Sequence, residues 1–264
     1  MTHRLTATIT LMVAMLMDLM DSTITNVALP AISTDLRATP TQLEWTLVGY
    51  VVAFATLLIT GGRLGDIYGR KRIFLVGVIG FTCASVFASL SWDGNILIAA
   101  RIIQGAFAGI MVPQVLSSVQ VMFAPEERGP IFGVVGALSA IGAIAGLLLG
   151  GWLVTADVLG TGWRSIFLIN VPVGILLVAA TVLFVPNSRS EHPVGLDLAG
   201  VALGALAVFL VVFPLTDGRA AGWAWWIWMM LVAAPFAIGL FIRQQRRKLS
   251  ADGTALLPLP LFQN

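Results

Sequence analysis

Apolar residues run along this chain in long blocks, broken by short polar stretches. Eight blocks stand out, at 5–29, 44–61, 73–92, 95–122, 129–155, 164–186, 196–216 and 223–242. Each is about 20 residues or more, enough to cross a bilayer as a helix rising ~1.5 Å per residue. The first is too long for the apolar core of a cleavable signal and holds two aspartates, so it reads as a retained span. In hydrocarbon every backbone polar group must be satisfied within its own segment, which makes helices the expected form throughout. The pattern predicts an all-α integral membrane protein.

Between the second and third blocks lies a polar island, Gly62-Arg63-Leu64-Gly65-Asp66-Ile67-Tyr68-Gly69-Arg70-Lys71-Arg72. Cations between two spans belong in water, and the excess of Lys and Arg on cytoplasmic loops places this island inside the cell. Both termini then also lie inside. With them fall Arg4, Arg128, Arg189, Arg243, Arg246, Arg247 and Lys248, against only Arg37, Arg164 and Arg219 outside. Trp223, Trp225, Trp226 and Trp228 open the last span at its outer end, in the headgroup zone that suits amphipathic rings. The expected location is the cell (inner or plasma) membrane, multi-pass, with a cytoplasmic N-terminus.

Composition narrows the function classes. Of the 264 residues 58% are apolar and 11% charged, where a soluble domain has roughly a quarter charged. The pI of 9.1 therefore reflects loops facing an anionic leaflet rather than nucleic acid. A lone Cys83 inside a span excludes an intramolecular disulfide and a cysteine metal site, and His3 and His192 form no cluster. No metal, catalytic residue or cofactor is expected.

Three ionisable residues lie at membrane depth: Asp18 and Asp21 in the first span and Arg101 in the fourth. Each is costly there unless paired or hydrated, so the default reading is functional. Counting from the outer ends, Asp21 lies ~12 Å down, Arg101 ~10 Å and Asp18 ~17 Å, at ~1.5 Å per residue. Asp21 and Arg101 can therefore pair across a cavity. Asp18 and Asp21 share a helix face. Two carboxylates that close resist ionising together, which makes them a candidate proton holder. The plainer alternative is a static anchor for Arg101 or a helix cap. Met12, Met15, Met17 and Met20 read first as packing, and Pro113, Pro172 and Pro235 as kinks.

The blocks divide the chain. Residues 1–186 form a bundle of six spans, dense in glycine along the fifth (Gly133, Gly136, Gly142, Gly146, Gly150, Gly151), where small residues let backbones approach. Residues 187–195 read as a polar cytoplasmic linker, 196–242 as two blander spans, and 243–264 as a basic cytoplasmic tail ending where a further apolar segment begins. That ending predicts an incomplete protein.

With these motifs in view the chain resembles the major facilitator superfamily, and within it the fourteen-helix drug/proton antiporter branch. Gly62-x-Leu64-Gly65-Asp66-x-x-Gly69-Arg70-Lys71 is similar to the signature between helices two and three, with Ile67 where arginine is usual. Asp21-Ser22-Thr23-Ile24-Thr25-Asn26-Val27-Ala28-Leu29-Pro30 resembles the branch's helix-one motif, and Arg101-x-x-Gln104-Gly105 its helix-four motif. Gly142-x-x-x-Gly146-Leu147-x-x-Gly150-Gly151 resembles the antiporter motif of helix five, with Leu147 where proline is expected. Trp163–Gly174 resembles the start of helix six.

The resemblance implies the six-helix N-terminal bundle of the major facilitator fold plus two additional transmembrane helices, leading to a missing C-terminal bundle or a second subunit. It implies proton-coupled efflux of drugs or amphipathic, cationic small molecules, driven by the proton gradient. The site it implies is Asp21, Arg101, Asp18, Asn26 and Gln104. A proton would neutralise Asp21 and loosen its tie to Arg101, while Gly62, Gly65, Asp66, Gly69, Arg70 and Lys71 form a cytoplasmic gate. Competing readings are uptake or facilitated transport of a small metabolite, an intramembrane enzyme built on the two aspartates, and a non-transporting scaffold or fragment.

Overall fold

The computed structural model describes residues 2–191, 195–251 and 256. Nine α-helices carry the described residues: α1 (Thr2–Leu36), α2 (Pro40–Tyr68), α3 (Arg70–Ser89), α4 (Gly94–Met122), α5 (Pro125–Ala156), α6 (Ser165–Leu168), α7 (Asn170–Phe184), α8 (Leu198–Asp217) and α9 (Trp225–Ala251). Eight runs are long and apolar enough to cross a membrane, α6 and α7 counting as the single run Gly162–Phe184. That run breaks at Ile169, one turn before Pro172, whose ring crowds the carbonyl four residues back.

Short connections are set by local chemistry. Thr39 caps α2 in a reciprocal box with Gln42, with Pro40 at the first helical position. Asp93 caps α4 through the Asn95 and Ile96 N–H groups. One expectation needs correcting. The island is not a loop: α2 continues through Arg63 and Asp66 to Tyr68, and the chain turns on the single residue Gly69, at φ +100°. The basic run Arg243–Lys248 is likewise helical, the last turns of α9. Of the linker, residues 192–194 with His192 lie outside the described residues, as do 252–255 and 257–264 of the tail.

In the bundle α4 packs between α2 and α3, α1 between α5 and α7, and α3 against α7 joins the two sets. Two apolar clusters result. One, at the end bearing the island, centres on Leu11, Phe74, Phe81, Met111, Val115 and Leu177. The other, toward the opposite end, centres on Ile24, Ile32, Leu97, Trp163, Ile166 and Phe167. Where the helices pass from one cluster to the other they carry buried polar residues: Asp18 and Asp21 on α1, Ser85 on α3, Arg101 and Gln104 on α4, Asn170 on α7. Helices α8 and α9 pack on each other and reach the bundle through α2. Trp45 donates to Asp217 at one end of that seam, and Arg63 donates to the Gly195 carbonyl (2.9 Å) at the other.

Candidate functional site

The polar belt between the two clusters is one connected network. Arg101 Nη1 donates to Asp21 Oδ2 at 2.5 Å and to Gln104 Oε1 at 2.6 Å, and its Nε reaches the Thr46 carbonyl at 3.3 Å. Asp21 Oδ1 accepts from Gln104 Nε2 (2.8 Å) and Asn170 Nδ2 (2.7 Å). Both amides also reach the Ser85 hydroxyl, at 2.9 and 3.3 Å. Asp21 thus holds three donors, two of them neutral, and its charge is met by one guanidinium. Bonds to a charged group in such a place contribute roughly 1.5–3 kcal/mol each.

The Arg101 guanidinium lies 4.2 Å from the Tyr50 ring centroid and 5.7 Å from that of Phe167. The Tyr50 hydroxyl donates to Asp18 Oδ1, so one aromatic ring links Arg101 to the second carboxylate. A crevice of about 130 Å³ reaches the network from the side of α1 and α7, lined by Leu16, Met17, Met20, Asp21, Asn170 and Val173.

The expected pairing of Asp21 with Arg101 takes a different form from the one drawn from depth alone. The two groups touch directly inside the bundle, at 0% and 1% side-chain exposure, rather than facing each other across a wet cavity. Asn26 stands apart. It is exposed, and its amide donates to the Ser22 carbonyl of its own helix (2.9 Å). Five residues on from Asp21 is about 140° round an α-helix, which explains the separation.

At the end bearing the island, Arg70 Nη2 pairs with Asp66 Oδ1 at 2.7 Å across one turn. The same segment grips the end of α7 and the chain that follows it. The Arg70 N–H donates to the Ser188 carbonyl (2.8 Å), the Ser190 N–H to the Asp66 carbonyl (3.2 Å), and Lys71 Nζ to the Val182 carbonyl (2.9 Å). A side chain at Gly69 would meet Asn187, and one at Gly65 would collide with Gln114, whose Nε2 holds the Gly61 carbonyl at 2.7 Å. Gly62 is looser: a Cβ there would lie 3.7 Å from Pro113.

Of the helix-five glycines, Gly142, Gly146 and Gly150 face Leu16, Met20 and Ile24 of α1, so this stripe seats α5 on the helix that carries both aspartates. Gly151 has nothing within 4 Å, and Leu147 is exposed on the outer side. Among the described residues no cluster of metal-ligating side chains occurs.

Sequence reasoning missed Tyr50, Ser85, Asn170 and Gln114. All four are polar and buried in spans, which was the available signal. It also missed Asp35, which accepts from Trp163 (2.9 Å) and Arg164 (2.6 Å) and ties the end of α1 to the start of the sixth span.

A family model described as the Major Facilitator Superfamily matches residues 11–262. The chain is 42% identical over 250 residues to a probable actinorhodin transporter of Streptomyces coelicolor, covering 95% of this chain and 43% of that protein. It is 34% identical over 254 residues to a tetracenomycin C resistance and export protein of Streptomyces glaucescens, covering 96% and 46%. The chain thus spans less than half the length of these two relatives. A crystal structure of the peptide transporter POT in complex with sulfate has the same fold over 93% of this chain and 53% of that one, with a TM-score of 0.60 at 15% identity.

Proposed function

This chain belongs to the Major Facilitator Superfamily, and on that premise we propose that it forms one bundle of a proton-driven exporter of amphipathic or cationic small molecules, of the drug/proton antiporter branch. The observation that carries the reading is the Asp21–Arg101 pair, buried at mid-depth and held by two neutral amides, Gln104 and Asn170, both of which also donate to Ser85. A structural tie of this kind is dispensable to a bundle, since well-packed apolar residues serve as well or better. A charge pair beside a second carboxylate makes sense where a proton is exchanged: gain or loss of that proton changes how tightly Asp21 holds Arg101. Outward transport is supported by relatives whose names speak of resistance and export.

In this reading the membrane is the cell membrane, with the island, Arg4 and Arg128 on the cytoplasmic side. The island's Asp66–Arg70 pair, clasping the connection after α7, is the gate. Transport further requires a second wall for the cavity, from the rest of the gene product or from a second subunit. Helices α1 and α4, which hold the pair, rock against that wall.

The test is efflux of a fluorescent cationic substrate from cells making the complete gene product, with and without a collapsed proton gradient. Asp21→Asn, at unchanged membrane abundance, is expected to abolish the part of efflux that depends on the gradient. Undiminished gradient-driven efflux in that variant defeats the proposal.

A further inference from the structure

The network holds two carboxylates but a single cation, and they are not equivalently placed. Asp21 takes the guanidinium and two amides. Asp18 has one hydrogen-bond partner among the described residues, the Tyr50 hydroxyl. The titratable and charged groups facing Asp18 are Asp21 on its own helix, Tyr50 on α2 and Arg101 on α4. On α3 Ser85 accepts from Gln104 and Asn170, on α7 Asn170 donates to Asp21 and Ser85, and α5 meets this part of α1 with Gly142 and Gly146.

Ionising both carboxylates leaves a net negative charge in a site walled by apolar clusters, a cost a buried group avoids by taking up a proton. Both carboxylates are buried, and they differ in their partners: Asp21 has the guanidinium, while Asp18 has only a phenol hydroxyl among the described residues. We infer that Asp18 carries the exchangeable proton of this site, that Asp21 is the standing counter-ion of Arg101, and that Tyr50 is the positioning residue joining them, its hydroxyl on Asp18 and its ring under the guanidinium. This rests on the reading of the site as one that exchanges protons, and it deepens that reading by separating the roles of the two aspartates.

On release, the O–H bond of the Asp18 carboxyl breaks, its electron pair stays on the carboxylate, and the proton passes to a water molecule. The new carboxylate keeps the Tyr50 donor. It then competes with Asp21 for Arg101, whose guanidinium is already seated on the Tyr50 ring. Protonation of Asp18 is thereby felt as a change in the Asp21–Arg101 tie, with no proton placed on Asp21.

Infrared spectroscopy of the purified protein in lipid nanodiscs reads this directly, because a protonated carboxyl has its own C=O band that moves down on exchange into D2O. At neutral pH the wild type is expected to show such a band, Asp18→Asn to lose it, and Tyr50→Phe to keep it but shifted to higher frequency by loss of the hydrogen bond. A band that survives in Asp18→Asn, that is missing from the folded wild type, or that Tyr50→Phe leaves unmoved overturns the inference. The experiment contains no transport step, so its failure leaves efflux untouched. Loss of gradient dependence in wild-type efflux, by contrast, sinks the exporter reading whatever the spectrum shows.

Discussion

Of the three Arg–Asp pairs among the described residues, two have nearly the same separation in different surroundings. Arg101–Asp21 bridges α4 and α1 at 2.5 Å with side chains 1% and 0% exposed. Arg70–Asp66 bridges one turn at 2.7 Å with side chains 13% and 36% exposed. In the first, desolvation makes each partner dependent on the other, and removal of one strands a charge. In the second, water and salt stand in for a lost partner. The contact alone therefore says little about what a pair does. The buried pair suits a switch, because its strength follows the local charge count. The exposed pair suits a clasp that opens and closes at small cost.

The largest effect is expected from removing one buried partner. Arg101→Met is expected to destabilise the purified protein by about 3–5 kcal/mol, because Asp21 is left charged among apolar clusters. Adding Asp21→Asn removes that charge and should recover more than half of the loss in thermal or denaturant unfolding. Additive losses in the double variant show that the two residues are not coupled, and the contrast between the pairs collapses.

The second effect concerns the seam that holds the buried pair in register. A Cβ at Gly105 would run into the Tyr50 backbone, whereas one at Gly151 meets nothing within 4 Å. Helix propensity alone favours alanine at both by roughly 1 kcal/mol. Gly105→Ala is nonetheless expected to destabilise by about 1–3 kcal/mol through overpacking, with Gly151→Ala neutral or stabilising. Equal melting shifts of the same sign refute close α2–α4 packing as the reason for that glycine.

The same contrast governs what could be read in advance. Hydropathy located all eight spans, because lipid imposes a length that no tertiary contact overrides. Depth counting matched Asp21 to Arg101 for the same reason. Tyr50 escapes such a count because a tyrosine within a span carries no charge and reads as packing, although its hydroxyl reaches Asp18 from α2. The helical island was illegible, since Gly62 and Gly65 signal a loop unless one knows that Pro113 and Gln114 pack against them. The end of α1 was placed at Leu29 because Pro30 follows. The helix runs on to Leu36, carrying Asp35 to Trp163 and Arg164. Chemistry along one helix was readable; contacts made by a second helix were not.

A smaller effect sits outside the membrane, at the start of α8. Burial pushes the Asp197 carboxyl up, but the Gly200 N–H, Gln245, Gln244 and the Lys248 charge together outweigh it and hold its pKa below the usual aspartate range. A carboxylate held low in the folded state contributes stability above the unfolded value, about 3.9. That contribution fades as pH falls through the lower native value. Asp197→Ala is expected to cost about 1 kcal/mol at neutral pH, as loss of a helix cap does, and to flatten the acid limb of stability. A variant whose acid limb matches the wild type refutes this account of how α8 is pinned to α9.

The smallest effect is the most telling for the exposed pair. Asp66→Asn removes a one-turn bridge at the surface, so stability should change by only about 0–1 kcal/mol, and less in high salt, where the Debye length at 1 M is ~3 Å. The proposed gate is a separate matter, because its opening and closing would break and remake the Asp66–Arg70 bridge, while the Asp66 carbonyl that holds Ser190 is left in place by the substitution. The expected result is a protein as stable as the wild type whose efflux is nevertheless impaired. A loss of stability approaching that of Arg101→Met, and insensitive to salt, means instead that the island pair is shielded from water, and its contrast with Arg101–Asp21 fails.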